Sequence, residues 1–179
     1  MNLYLRLLHL VLLGRRRSRV SVLGPVRTPF RVWPTDLDLL RHVNNGTYLT
    51  IMDIGRLDLL ARSGVTPLLR RAGWYPVVVA ETITFKRSLR LFQRFDVVTE
   101  VVGWDEVSLF LRQDVVRGDV LVASAVIRGR FLGRDGARIT PQQVMGLSGE
   151  QLEARELPAW VVDWARSTEI RSATPVPPA

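Results

Sequence analysis

A helix that is apolar around most of its circumference has to be wrapped by the rest of its chain, and this sequence contains one. From Tyr48 to Arg62 the positions Leu49, Ile51, Met52, Ile54, Leu57, Leu59 and Leu60 leave no broad polar face. Gly55 in the interior costs helix stability, and close approach by another backbone is the expected reason for it. Gly64 fits a helix C-cap. Everything that could wrap the helix reads as strand: Val26 to Trp33 before it, then Val77 to Arg87, Phe95 to Trp104, Ser108 to Arg117 and Val120 to Leu132. The third of these alternates, with Val97, Thr99 and Val101 on one side and Val98, Glu100 and Val102 on the other. Gly118-Asp119 suits a tight turn with positive φ, so the last two strands form a hairpin. Thr140-Pro141-Gln142-Gln143 has the N-cap, first-turn proline and capping-box glutamine of a short helix. A final helix is expected over 158–166, where Trp160 and Trp164 share a face. One buried helix early and about five antiparallel strands imply an α+β domain, its sheet curled around the helix.

The 179 residues suffice for one domain with a proper core. The expected division is an apolar N-terminal helix and basic linker over 1–25, the α+β domain over 26–150, and a C-terminal helix with a disordered, proline-rich tail over 151–179. Met1 to Leu13 is almost wholly apolar and precedes Arg15-Arg16-Arg17. It is shorter than the ~20 residues that span a bilayer and lacks the flanks of a secretory signal. Asn2, Arg6 and His9 form one polar stripe at helical spacing. Two readings stay open: a helix packed on the domain or on a dimer partner, and an interfacial helix whose basic end lies on anionic headgroups. The location expected is cytoplasmic, with peripheral contact to the inner face of a membrane under the second reading.

The chain has no Cys and two His, His9 and His42. Disulfides, thiolate chemistry and a multi-histidine metal site are thereby excluded, and neither metal nor cofactor is expected. The formal charge is +8, almost all from Arg, and favours acidic partners. Nucleic acid is not expected among them, because the arginines are dispersed and no recognition helix or aromatic RNA motif is present.

The chemistry concentrates in Pro34-Thr35-Asp36-Leu37-Asp38-Leu39-Leu40-Arg41-His42-Val43-Asn44-Asn45-Gly46-Thr47-Tyr48-Leu49, which feeds the buried helix. Asn45 and Gly46 sit where a helix cap belongs, and the first N–H groups of a helix suit an oxygen that becomes negative. A carboxylate just upstream could lie close to a carbonyl held there, as acyl transfer to water requires. Lys86, Arg87 and Arg90 cluster at a strand end, where they would either meet phosphates or form a solvated loop. Asp53, with Arg56 three residues on, reads as an ion pair.

A strand, then Asp-Leu-Asp-x-x-x-His-Val-Asn-Asn-x-x-Tyr-Leu, then a buried helix and four strands, resembles the hotdog-fold thioesterases of the 4-hydroxybenzoyl-CoA and acyl-ACP branch. The chain is similar, more narrowly, to the THEM6-like proteins, which share Asp-Leu-Asp-Leu-Leu before His-x-Asn-Asn and segments matching Arg87 to Leu91 and Gly103 to Asp105. The resemblance covers about Pro29 to Leu132. It implies an acyl-CoA or acyl-carrier-protein substrate, with Asp38 as nucleophile or as base for water and Asp36 in support. His42 either positions water or orients the loop. Asn44, Asn45, Gly46 and Thr47 form the loop and the oxyanion end of the helix, and Lys86, Arg87 and Arg90 the phosphate contacts. Some hotdog branches place an acid on the long helix, where Asp53 stands. Leu40 departs from the plant acyl-ACP pattern, which has asparagine there. The resemblance also implies a homodimer or dimer of dimers with the acyl channel between subunits. The alternative it leaves is a catalytically weak protein that binds acyl-CoA or lipid at a membrane surface.

Overall fold

The computed structural model describes residues 6–7, 18–149, 152 and 155–169. Strand β1 (Val26–Arg31) leads through a 3-10 turn (Pro34–Asp36) to helix α1 (Asn45–Arg62) and helix α2 (Val65–Ala72). Strands β2 (Trp74–Phe85), β3 (Arg94–Trp104), β4 (Leu109–Arg117), β5 (Val120–Gly133) and β6 (Arg138–Ile139) follow, then α3 (Pro141–Leu147) and α4 (Ala159–Ser167). The sheet is antiparallel in the order β1-β3-β4-β5-β2, with the short β6 on β5. On β3 the residues Phe95, Val97, Thr99 and Val101 are buried, which puts the expected face of that strand inward. Ile51, Met52 and Leu59 of α1 share one buried cluster with Phe95, Val97 and Val101 of that face. The outer face is covered in part by α4, whose Val161 and Ala165 pack on Phe110 and Val126. A curled antiparallel sheet around one long helix is the hotdog arrangement the resemblance implies.

The differences from expectation have local causes. Helix α1 begins at Asn45 rather than Tyr48, because Asn44 is the N-cap, its side chain accepting the Gly46 N–H at 2.8 Å. Helix α2 is not anticipated by the sequence reading. Its two flanking glycines, Gly64 (φ 77°) and Gly73 (φ 74°), both take the left-handed backbone that lets the chain turn. Only Val65 and Leu69 of this helix are buried, so eight residues gave too short a window for periodicity. Strand β2 starts at Trp74, three residues before the expected Val77, because Gly73 closes α2 and pairing with Gly133 begins at once. The Thr140 capping box forms as expected, and Pro158 precedes α4 as its N-cap.

Gly55 is a correction of cause. A Cβ there would lie 3.0 Å from Thr99 Oγ1, 3.0 Å from Val97 Cγ1 and 3.1 Å from Gln113 Nε2, so side chains of the sheet press on it, not another backbone. Gly55→Ala gains about 1 kcal/mol of helix propensity and loses about 1–3 kcal/mol to overpacking, because Gln113 is hydrogen-bonded and cannot retreat. A melting temperature lowered by a few degrees is expected; an unchanged or raised one would contradict this packing account.

Of the N-terminal segment only Arg6 and Leu7 are described, and both are helical. The rest of the expected N-terminal helix and the 172–179 tail lie outside the described residues. Among the described residues no helix is long and apolar enough to cross a membrane.

Candidate active site

The acidic loop is a pinched turn held by backbone pairing. Leu37 and Val43 form an antiparallel bridge, and between them Asp38 N–H donates to the His42 carbonyl at 2.8 Å. Arg41 closes the turn with positive φ (59°). Asp38 is half-buried, and its Oδ1 accepts the Leu40 N–H at 2.8 Å and the His42 N–H at 3.3 Å. His42, also half-buried, is thus tied to Asp38 through the backbone. At the tip Leu39 and Leu40 point outward, 102% and 76% exposed.

Asp36 is buried and organises the other side of the loop. Its Oδ2 accepts the Trp33 N–H at 2.7 Å and ion-pairs with the Arg6 guanidinium. Its carbonyl accepts the Asn44 N–H at 2.9 Å, which joins the acid to the start of α1. In the first turn of α1, Gly46 N–H donates to Asn44 Oδ1 at 2.8 Å and Thr47 N–H to the Asn44 carbonyl at 2.9 Å. Asn44, Asn45, Gly46 and Thr47 therefore form one capped turn within a few residues of Asp38.

The structure also brings the basic cluster to this loop. Lys86, Arg87 and Arg90 are exposed on the connection between β2 and β3. Leu89 among them is fully buried, and its carbonyl accepts the Val43 N–H at 3.0 Å. Two more bonds lace the same connection to the start of the loop: Val32 N–H to the Gln93 carbonyl and Phe92 N–H to the Val32 carbonyl, both at 3.0 Å. Tyr48 lies beneath, its ring edge-on to Phe85 at 5.3 Å. Burial pushes its phenol above the usual tyrosine value, against a smaller opposing effect of a backbone hydrogen bond with Leu89, so it stays neutral.

Asp53 stands apart. It is eight residues into α1, about 12 Å along the helix from Asn45, and is ion-paired with Arg56. Arg56 in turn donates to Gln113 Oε1 at 2.7 Å. Gln113 is fully buried and donates to the Met52 carbonyl and to Thr99 Oγ1, each at 2.9 Å.

Three polar residues of this region escape the sequence reading. Arg6 belongs there to a polar stripe with Asn2 and His9, yet its side chain and that of Asp36 are each only 4% exposed. It also donates to the Arg31 carbonyl at 3.3 Å. Partners 30 residues apart leave no local signal. Asp58, fully buried, accepts from Thr28 Oγ1 at 2.7 Å. An acid on so apolar a helix was the available cue. Gln113 gave none. Among the described residues no three His, Cys, Asp or Glu gather as metal ligands.

A half-exposed carboxylate on a rigid turn, beside a helix start and a basic loop, is equipped to act on an activated acyl group carried by an anionic moiety. Comparison with known proteins agrees with the architecture. Residues 32–165 match the family model of the thioesterase-like superfamily. Protein THEM6 of Xenopus laevis is 30% identical over 143 residues, which are 79% of this chain and 67% of that protein. The matched segments span from about half to two thirds of the length of the THEM6 proteins it matches. In shape the chain is similar to the YbaW probable thioesterase from Escherichia coli, with a TM-score of 0.65 at 23% identity, over 70% of this chain and 96% of that one. It is also similar to a 1,4-dihydroxy-2-naphthoyl-CoA thioesterase from Synechocystis, with a TM-score of 0.61 at 13% identity, over 72% and 98% of the two chains. A match to the family model over most of the chain, on a fold those structures share, places this protein in the thioesterase-like superfamily.

Proposed function

We propose that this protein hydrolyses acyl-CoA or acyl-carrier-protein thioesters, with Asp38 as the catalytic carboxylate. The observation that carries the reading is the Val43–Leu89 hydrogen bond, which joins the Asp38 turn to the Lys86–Arg90 connection. The carboxylate and the phosphate-binding cations then meet one substrate at two points: the thioester carbonyl at Asp38, the phosphates at Lys86, Arg87 and Arg90. Asp38 either attacks the carbonyl carbon, expelling the thiolate and leaving an anhydride for water to cleave, or takes a proton from the attacking water. The developing oxyanion lies at the start of α1, where the Asn45 N–H is the donor of choice, since Gly46 and Thr47 already donate to Asn44. His42 positions water or holds the turn. Asp36 supports the loop, and Asp53, bound to Arg56, is outside this chemistry.

The substrate is bound by a homodimer or a multiple of it. Strand β2 is an edge of the sheet and twelve residues long. Its Tyr75, Val78, Val79 and Phe85 are exposed, and such an edge invites pairing with a second copy. Light scattering at micromolar concentration should give a dimer or a multiple; a monomer would contradict the assembly.

A second reading, acyl-CoA or lipid binding with little turnover at a membrane surface, is favoured by Leu39 and Leu40, whose exposure at the loop tip offers an apolar contact. A panel of short, medium, long and aromatic acyl-CoAs, followed by thiol release, separates the two. Hydrolysis of at least one class is expected. No release from any of them would move the assignment to binding.

A further inference from the structure

Two bulky residues take the left-handed backbone that favours glycine, Arg41 (φ 59°) and Phe92 (φ 62°), and among the described residues no other non-glycine does so. Such backbone is strained and persists where a function retains it. Each sits in a turn, and the Val43–Leu89 bond laces the two loops together. The Phe92 N–H donates to the Val32 carbonyl at 3.0 Å, and its own carbonyl accepts from Arg31 Nε at 3.2 Å. Its ring stands edge-on to Trp33 and lies 5.3 Å from the Arg31 guanidinium. Yet Phe92 is 49% exposed and Leu91 beside it 40%. On the adjoining turn Leu39 and Leu40 are exposed as well. Apolar side chains held out into water by a strained, hydrogen-bonded frame mark a contact surface.

The charges around them say what that surface meets. Residues 86–94 hold four cations and residues 39–47 one, and neither stretch contains an acid. Arg31 and Arg94 stand directly opposite each other on β1 and β3, a like-charge pairing that weakens a sheet. Neither has an acidic partner among the described residues, and Asp96, the nearest acid along β3, is taken by Arg27 at 2.8 Å. An anion supplied from outside relieves the repulsion.

We propose that Leu39, Leu40, Leu91 and Phe92 enter the interface of an anionic bilayer, with Arg31, Arg41 and Arg94 on the lipid phosphates. Protruding tips suit a fluid medium that closes around them, whereas a folded partner needs a matching pocket for each. An aromatic ring and arginines beside aliphatic side chains are also the composition of interfacial depth. Lys86, Arg87 and Arg90 stay with the substrate phosphates, and the N-terminal segment takes no part. The contact rests on neither reading of the function, since it brings a thioesterase or a binding protein to the same surface.

The test is co-sedimentation of the full chain with vesicles of mixed phosphatidylserine and phosphatidylcholine, and of phosphatidylcholine alone. Binding to the first, weakening as salt rises, is expected. Phe92→Gly with Leu91→Ser removes two of the apolar tips and puts glycine on the left-handed backbone, so the turn is kept and binding should fall about tenfold or more. Arg31→Gln with Arg94→Gln removes the repulsion along with the charge; at about fivefold per arginine, binding should fall roughly 25-fold at low salt. A melting curve accompanies each double variant, and one decides alone if the other fails to fold. Neither touches Asp38 or α1, so turnover of a soluble acyl-CoA should be unchanged, and a wild type without turnover leaves the vesicle result readable. Absence of vesicle binding by the wild type overturns the proposal, as does equal binding by the wild type and both variants. Binding lost instead on Arg15→Gln with Arg16→Gln and Arg17→Gln would assign it to the N-terminal segment and overturn the proposal too. Capture of an acidic carrier protein, lost in the double variants while vesicles are ignored, would make the patch a protein contact and equally reject the bilayer.

Discussion

Asp38→Asn is expected to lower thioester hydrolysis by a factor of about 10² or more while leaving the fold in place. A positioned acid–base group contributes about 10²–10⁴ in rate, and an amide can neither take a proton from water nor attack a carbonyl as a carboxylate does. The turn should survive, because the asparagine Oδ1 can accept the same Leu40 and His42 N–H groups that Asp38 Oδ1 accepts. Activity and stability thus separate at this position. Asp36→Asn should show the reverse balance, since Asp36 is buried and holds Arg6 and the Trp33 N–H. The measurement is thiol release from the best acyl-CoA of the panel beside a melting curve for each variant. Full activity in Asp38→Asn would remove this residue from the chemistry. A large drop in melting temperature would show that its role is to hold the turn.

The second large effect is expected at Arg6. Its ion pair with Asp36 is almost wholly removed from water, and breaking a buried pair by deleting one partner costs about 3–5 kcal/mol, because the other charge is left uncompensated. For a chain of this size each kcal/mol moves the melting temperature by about 2–4 °C, so Arg6→Met should lower it by roughly 6–20 °C. Arg6→Met with Asp36→Leu should recover part of that loss, since no buried charge remains; the Trp33 N–H, which then lacks its acceptor, limits the recovery. Removing residues 1–17 should act like Arg6→Met and leave binding to anionic vesicles unchanged, because Arg6 is engaged with the domain. This favours the packed form of the two readings of the N-terminal helix. Salt-sensitive vesicle binding lost on the deletion, with the melting temperature unaltered, would restore the membrane reading.

The periodicities of the sequence determined the class of this fold. A helix apolar on nearly every side can only be enclosed, and the segments able to enclose it alternate with period two, so a sheet curled around α1 is close to the only solution. The capping box at Thr140 and the turn at Gly118-Asp119 are likewise local chemistry, written within four residues. The motif loop was legible for the same reason: Asp36, Asp38, His42 and Asn44 lie within nine consecutive residues, and their turn is closed by backbone bonds of short range.

What joins distant segments was decided by the tertiary structure alone. That the connection carrying Lys86, Arg87 and Arg90 runs beside the acidic turn follows from the Val43–Leu89 bond. Gly55 needed the side chains of Thr99, Val97 and Gln113 to explain it. Arg6, a polar mark on a greasy segment, became the buried partner of Asp36. In each case the energetic reason for the residue is a group 30 or more positions away in the chain. Hydrophobic period and capping report only what a residue does within its own element; the partner of a buried charge, and the space a missing Cβ leaves, exist only once the elements have packed.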